Sequence, residues 1–144
     1  MNCLSLNICG TRTFLKRSWV KSLCMSNRVS FLGLQETRMT QDVHEKQDLW
    51  AYLTAFVRRN GGFYCFFGDF NAVREESERY GTRFCRVISN GFNEFIDALE
   101  LVDVPMIGKR FTRVDVTGDK MSKLDRFLVS NEVVEQFGDL QVAV

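Results

Sequence analysis

The sequence predicts one domain of the mixed α/β class that covers residues 1–144. Short apolar runs typical of buried strands alternate with longer segments whose apolar residues recur at helical spacing. A strand followed by a helix and another strand is the repeating unit of α/β proteins. The chain is long enough for one packed core, and its 45% hydrophobic and 26% charged residues are the composition of a globular domain.

The first third predicts a strand, a helix and a second strand. Residues 3–8 and 29–34 have the apolar character of strands, and segment 16–25 between them has apolar residues at helical spacing. A right-handed crossover through such a helix makes the two strands parallel and aligns their ends. Asn7 and Glu36 lie at those ends and are therefore expected at one edge of the sheet, although each alone would be an ordinary polar strand end.

The middle of the chain predicts a helix, a buried strand and an acidic turn. The helix covers residues 49–57 and is closed by a Gly-Gly pair, and the aromatic run 63–67 is typical of a strand. Asp69 and Asn71 follow, spaced so that both side chains can point the same way. The acid could then serve as a base or metal ligand and the amide as its hydrogen-bond partner. The alternative is a turn that caps the next helix.

The next segments predict a charged loop and an amphipathic helix. Residues 74–86 are highly charged and predict a surface loop, after which Asn90 could cap a helix. The apolar residues of that helix match the spacing i, i+3, i+4, i+7 in full. They are Phe92, Phe95, Ile96 and Leu99.

The last third predicts a hairpin, followed by a short helix and a final strand. Residues 110–114 and 123–130 are strand-like and are separated by a Gly-Asp turn. In the second of these strands, Asp125 alternates onto the same face as Phe127, so a carboxylate shares a partly apolar face. The ordinary alternative for such an acid is an ion pair with a neighbouring arginine.

Charge and cysteine content limit the classes of protein that fit. The net charge of +1 produces no strong overall field for nucleic acid, so any basic footprint is local, with Arg12, Lys16 and Arg110 as candidate contacts. Five cysteines without Cys-x-x-Cys spacing argue against a disulfide framework or a zinc site. They favour a reducing intracellular compartment, the nucleus or cytoplasm. No apolar run approaches the roughly 18 residues that span a membrane, and the single histidine, His44, is expected to be solvated.

Polar oxygens accumulate at or near the predicted strand ends. Carboxylate and amide groups of this kind suit a hard cation such as Mg²⁺, and no cluster of histidine and cysteine offers a softer site. The sequence therefore predicts a hydrolase in which a hard metal polarises a phosphoryl oxygen and activates water for in-line attack. The residues concerned are Asn7, Glu36, Asp69, Asn71 and Asp125.

These motifs resemble the endonuclease/exonuclease/phosphatase superfamily, the fold of deoxyribonuclease I and the abasic-site endonucleases. Within it, the chain is most similar to the endonuclease domain of plant LINE-type non-LTR retrotransposons. The motifs occur in the family's order across residues 2–138, nearly the whole chain. They are Leu6-Asn7, Gly33-Leu34-Gln35-Glu36-Thr37, Gly68-Asp69-Phe70-Asn71, Phe92-Asn93-Glu94-Phe95-Ile96, Leu101-Val102-Asp103, Gly108-Lys109-Arg110-Phe111-Thr112 and Ser122-Lys123-Leu124-Asp125-Arg126-Phe127-Leu128.

The resemblance implies a role for each matched residue. Glu36 corresponds to the metal ligand, with Asn7 beside it helping to hold metal and phosphate. Asp69 corresponds to the acid that orients or deprotonates the attacking water, and Asn71 to the amide that steadies it. Asp125 corresponds to the carboxylate that supports a catalytic histidine. The implied cofactor is Mg²⁺, with Mn²⁺ as an alternative. The implied partners are DNA, nicked to leave a 3′ hydroxyl that primes reverse transcription, and a reverse transcriptase domain in the parent element.

The chain also departs from the family pattern. The family's Ser-Asp-His motif follows the last strand and is not reached by Val144, and a central section with several strands and a catalytic tyrosine is largely deleted. Arg113 stands where the family usually has tryptophan. We therefore expect a partial deoxyribonuclease I-like sandwich of two packed mixed sheets flanked by helices, lacking central strands. A missing histidine of this type lowers the rate by roughly 10²- to 10⁴-fold. The alternatives are an inactive remnant that binds nucleic acid and a phosphatase-type relative.

Overall fold

A computed structural model describes residues 3–7, 31–35 and 42–143, the first two segments as backbone only. Within these segments the chain has mixed α/β structure with three α-helices: α1 (Val43–Asn60), α2 (Arg86–Ala98) and α3 (Asn131–Phe137). The strands are β1 (Cys3–Asn7), β2 (Phe31–Gln35), β3 (Cys65–Asp69), β4 (Arg79–Tyr80), β5 (Leu101–Asp103), β6 (Met106–Ile107), β7 (Arg113–Val114), β8 (Met121–Ser122), β9 (Asp125–Ser130) and β10 (Val142–Ala143). None of the described helices is both long and apolar enough to cross a membrane.

The first two strands pair in parallel, as predicted. Their register aligns Asn7 with Gln35, so the two strands end at the same edge. Glu36 directly follows Gln35 but lies outside the described residues, as does the predicted helix over 16–25. The common edge for Asn7 and the residue preceding Glu36 is therefore confirmed at the level of the backbone.

The main sheet has strand order β3-β9-β5 and is antiparallel. Strand β3 begins and ends two residues later than predicted, so Asp69 is its last residue instead of following it. The ladder extends this far because Asp69 pairs with Asp125, and the N–H of Phe70 then donates to the carbonyl of Leu124 at 3.0 Å. Strand β2 comes within 8 Å of β3, measured between Cα atoms. Among the described strands, β1 and β2 nevertheless form a sheet of their own, separate from β3-β9-β5.

The predicted hairpin was wrong in its pairing. Strand β7 pairs with β8 across the Gly118 turn, and both strands belong to the small sheet β4-β8-β7. Strand β9 instead joins the main sheet between β3 and β5. Its alternating apolar residues explain this, because Leu128 and Val129 are buried on opposite faces and need a covered sheet.

Helices cover both faces of the main sheet. On one face, Phe66 and Leu128 belong to a core cluster with Trp50 of α1 and Phe92 of α2. On the other face, Val129 packs in a second cluster with α3. The layers are therefore helix, sheet and helix.

The amphipathic helix α2 begins one turn before its predicted start. Its N-cap is Cys85 and not Asn90, which is exposed within the helix. The extra turn forms because Ile88 joins the apolar face one turn before Phe92, and the N–H of Ser89 donates to the carbonyl of Cys85. The apolar spacing from Phe92 onward was predicted correctly.

The charged segment 74–86 was predicted to be a surface loop, but it is only partly so. One of its residues, Glu78, belongs to a buried ion-pair network. It contains a 3₁₀ turn (Glu76–Glu78) and strand β4. Glu78 pairs with Arg126, which also pairs with Asp103 and is 0% exposed. The guanidinium of Arg126 lies 5.8 Å from the centre of the Phe92 ring. A single buried arginine thus joins the charged loop, β5, β9 and α2.

Candidate functional site

The central feature of the candidate site is a pair of acids at the end of the β3–β9 ladder. Asp69 and Asp125 are directly opposite each other in the register, and both are half-buried. Opposed residues of an antiparallel pair have Cβ atoms about 4.5–5.5 Å apart, so like charges there repel. By strand alternation, the two acids share a face with Phe67 and Phe127, whose rings stack with centroids 5.2 Å apart. The structure thus brings together two of the acids predicted from the sequence.

A tight turn fixes the first of these acids. Asn71 adopts a left-handed backbone conformation with φ 48°, and its N–H donates to Oδ1 of Asp69 at 2.7 Å. Its carbonyl accepts a hydrogen bond from Nζ of Lys46 in α1. Asparagine tolerates this region better than most residues because its side chain bonds locally. The hydrogen bond comes from the main chain of Asn71 and forms a turn of the kind given as the alternative, and the predicted role of the Asn71 side-chain amide stays a prediction.

Burial and neighbouring charges shift the protonation of the site. Burial raises the pKa of Asp69, and the facing Asp125 adds to the rise, while the N–H of Asn71 and the charges of Arg113 and Lys46 oppose it. Burial also lowers the pKa of Lys46 to about 8, and nearby Arg79 contributes to this decrease. Both shifts move these side chains toward their neutral forms, which is the condition in which groups exchange protons near neutral pH.

A basic groove of about 410 Å³ opens beside the turn. Asn71 lines it together with Arg79, Arg83, Arg113 and Lys120, with Asp115 as an opposing acid. Arg79 and Arg113 flank Ser122 across three paired strands. Since neighbouring strands lie about 4.8 Å apart, the two arginines start roughly 10 Å from each other. Nε of Arg79 is buried without a hydrogen-bond partner among the described residues. The groove suits an extended anion.

The hydroxyl of Thr112 supports the start of β9. Its Oγ1 accepts hydrogen bonds from the N–H groups of Leu124 and Asp125, each at 3.0 Å. These two bonds fix the residue that faces Asp69. The motif in which Thr112 occurs was noted in the sequence, but nothing in the sequence assigned it this contact.

The oxygen ligands at the site suit a hard cation. Two opposed carboxylates, one with a raised pKa, concentrate negative charge that a bound cation would neutralise. No group of three or more His, Cys, Asp and Glu side chains within the described segments is close enough to hold a metal ion. Glu36, the predicted ligand, lies outside those segments, and Asn7 is described as backbone only. The oxygen donors match the preference of Mg²⁺ in type, and Mg²⁺ as the cofactor stays a prediction.

Of the three predicted nucleic-acid contacts, the structure describes only Arg110, and this residue does not line the basic groove. Arg110 is exposed, donates to the carbonyl of Ser77 at 3.0 Å, and lines a second groove together with Lys109 and Lys123. Arg12 and Lys16 lie outside the described residues. The cations near the acid pair were not predicted as a group because they are scattered in the sequence and meet only through the pairing of β4, β7 and β8.

Lys46 was also missed, although the sequence contains a signal for it. It lies three residues before Leu49 and four before Trp50, the spacing that puts a residue on the buried face of a helix. The helix was predicted to cover residues 49–57, which leaves Lys46 outside it. Extending α1 to Val43 brings Lys46 into the core, where it is 1% exposed.

No protein-family model matches the chain, and no curated protein matches it significantly.

Proposed function

We propose that this protein is a metal-dependent phosphodiesterase that nicks DNA, of the type found in retrotransposon endonucleases. The observation that carries the proposal is the opposed pair Asp69 and Asp125, joined through Asn71 to a groove with four cationic side chains. An acid of raised pKa beside a basic groove is the combination that a hydrolase needs to bind a phosphate and handle the proton of water. The finer fold assignment, a partial deoxyribonuclease I-like sandwich, is part of the same proposal.

The roles follow from the chemistry of each group. Asp69 orients the attacking water and takes its proton, and a raised pKa makes it a stronger base than an ordinary carboxylate. Asn71 fixes the carboxylate through its N–H. Burial raises the pKa of Asp69, and Asp125 adds to this rise. Glu36 and Asn7 would hold Mg²⁺, which when bound polarises the phosphoryl oxygen.

The basic groove provides the substrate site in this proposal. Phosphate groups of a nucleic-acid backbone repeat along an extended strand, and Arg79 and Arg113 offer guanidinium groups that bind phosphate in a bidentate manner.

Nicking of supercoiled plasmid by the purified protein tests the proposal. We expect slow conversion to the open circular form with Mg²⁺ and loss of that conversion with EDTA, because the donors suit a hard cation. Restoration by excess Mg²⁺ is the control for damage by the chelator. A folded protein that does not nick at high enzyme concentration over long incubation would contradict the proposal.

A second candidate function, binding of nucleic acid without cleavage, is favoured by the groove alone. Replacing both Arg113 and Lys120 by glutamine should weaken binding to a DNA duplex and reduce the salt dependence of the binding constant. The slope of log K against log salt should fall by about 2, since each phosphate contact contributes about 0.9. Fluorescence anisotropy over a series of salt concentrations measures both quantities.

The matched control for this experiment removes two exposed charges elsewhere. Arg58 and Arg59 lie in the last turn of α1, and their double replacement by glutamine should leave the slope unchanged. Equal effects of the two double variants would mean that binding depends on total charge and not on the groove.

A further inference from the structure

A lysine buried in the apolar core is the least expected feature of the site. Lys46 is among the largest side chains that are almost fully buried, and it lies on the face of α1 that carries Leu49, Trp50 and Leu53. Burying an ammonium group costs stability unless it is paired, and a methionine would fill the same space without that cost. A function that needs the charge would explain why the position holds lysine.

The contacts of Lys46 lead to the acid turn. Its Nζ donates to the carbonyl of Asn71, and the N–H of the same residue donates to Asp69. The peptide groups on both sides of the Asn71 Cα are thus held by side chains, one from α1 and one from β3. This matters because Asn71 has a positive φ, which without support costs about 1 kcal/mol or more and is readily lost.

The electrostatic surroundings of Lys46 are mixed. Arg79 of β4 repels its charge, whereas Asp69 of β3 and Cys85 at the start of α2 favour it. The ammonium is therefore held between the acid of the site and a cation of the groove. Because the side chain is 1% exposed, it does not reach a substrate in the groove, and any effect on the reaction passes through the turn.

We propose that Lys46 is a positioning residue that holds the Asn71 turn, so that Asp69 keeps one fixed orientation beside the groove. The inference rests on the proposed function for its catalytic consequence. Its structural part, that the lysine fixes the turn, stands independently.

The test compares Lys46→Met, which keeps the length of the side chain, with Lys46→Arg, which keeps the charge. In the methionine variant the rate of plasmid nicking should fall by about 10- to 100-fold, since small misplacements of a catalytic group have effects of this size. The affinity for DNA should stay within about 2-fold of the wild type, because the groove cations are unchanged. Lys46→Arg should restore most of the rate. Arg59→Met, a change at an exposed cation of the same helix α1, is the control and should leave the rate unchanged.

Hydrogen exchange provides a readout that does not need activity. In Lys46→Met the amide of Asn71 should exchange at least about 10-fold faster, since its bond to Asp69 is no longer held in place. The neighbouring amide of Phe70, bonded to Leu124, should keep its protection. Unchanged exchange at Asn71 would overturn the proposal, and so would faster exchange with an unchanged nicking rate. If the wild-type protein does not nick, the proposed function fails, and the exchange at Asn71 still decides whether Lys46 holds the turn.

Discussion

Replacing Arg126 by methionine should lower the free energy of unfolding by about 3–5 kcal/mol, the usual cost of removing one partner from a buried ion pair. Arg126 is 0% exposed and pairs with Glu78 and Asp103, which are themselves largely buried. Methionine fills the space but leaves Glu78 without its cation, and Asp103 keeps only Arg74, whose Nη1 lies 3.5 Å from its Oδ2. Urea denaturation followed by circular dichroism measures the change.

The acid partners provide the control for this variant. Combining Arg126→Met with Glu78→Gln and Asp103→Asn removes the uncompensated charges and should recover a large part of the loss. Arg59→Met, a change at an exposed arginine, should alter stability by less than about 0.5 kcal/mol. A loss below about 1 kcal/mol in Arg126→Met would mean that the network contributes little to the fold.

Replacing Asp69 by asparagine should reduce nicking by roughly 10²- to 10⁴-fold, the usual contribution of a general base, while making the fold more stable. The gain in stability follows from the raised pKa of Asp69, since the folded protein disfavours the ionised carboxylate. Below the ordinary pKa of 3.8 the acid is neutral in both states, so the variant has no advantage there. The advantage should appear as the pH rises through the raised pKa and persist at neutral pH. Urea denaturation at several pH values and plasmid nicking measure the two effects.

The opposite signs of the two effects distinguish a catalytic role from a structural one. Asp97→Asn, a change at an exposed acid of α2, should alter neither quantity. If Asp69→Asn destabilised the protein and left nicking unchanged, the acid would be a structural residue of the turn.

The sequence predicted those parts of the fold that depend on local patterns. The parallel pair β1–β2, the end of α1 at Gly61 and the short helix α3 follow from apolar spacing and glycine stop signals within each segment. The start of α2 and the pairing of β9 were predicted wrongly because both depend on what the segment packs against. In an isolated sequence, β9 can pair with β7 as well as with β3, and only the covered sheet decides between them.

The sequence analysis singled out both acids of the opposed pair but not the cations beside them. Asp69 and Asn71 are close in sequence, so their turn could be predicted, and Asp125 was singled out by its motif. Asp69 and Asp125 lie opposite each other because of the register between β3 and β9. The two residues are 56 positions apart in the sequence (125 minus 69), so no local pattern predicts that they pair. Arg79 and Arg113 meet for the same reason. Lys46 alone had a local signal, its helical spacing from Trp50.

The ion-pair network of Arg126 also determines when the site can form during folding. Its partners Asp103 and Glu78 lie 23 and 48 residues earlier in the chain. Contacts between residues this far apart in the sequence form late, because the entropy cost of closing a long loop comes before the favourable energy of the contact. A nascent chain in which β9 has not yet been synthesised lacks Asp125. It also lacks Arg126, which pairs with Glu78 of segment 74–86. The acid pair and the basic groove are therefore expected to appear together, in a single late step of folding.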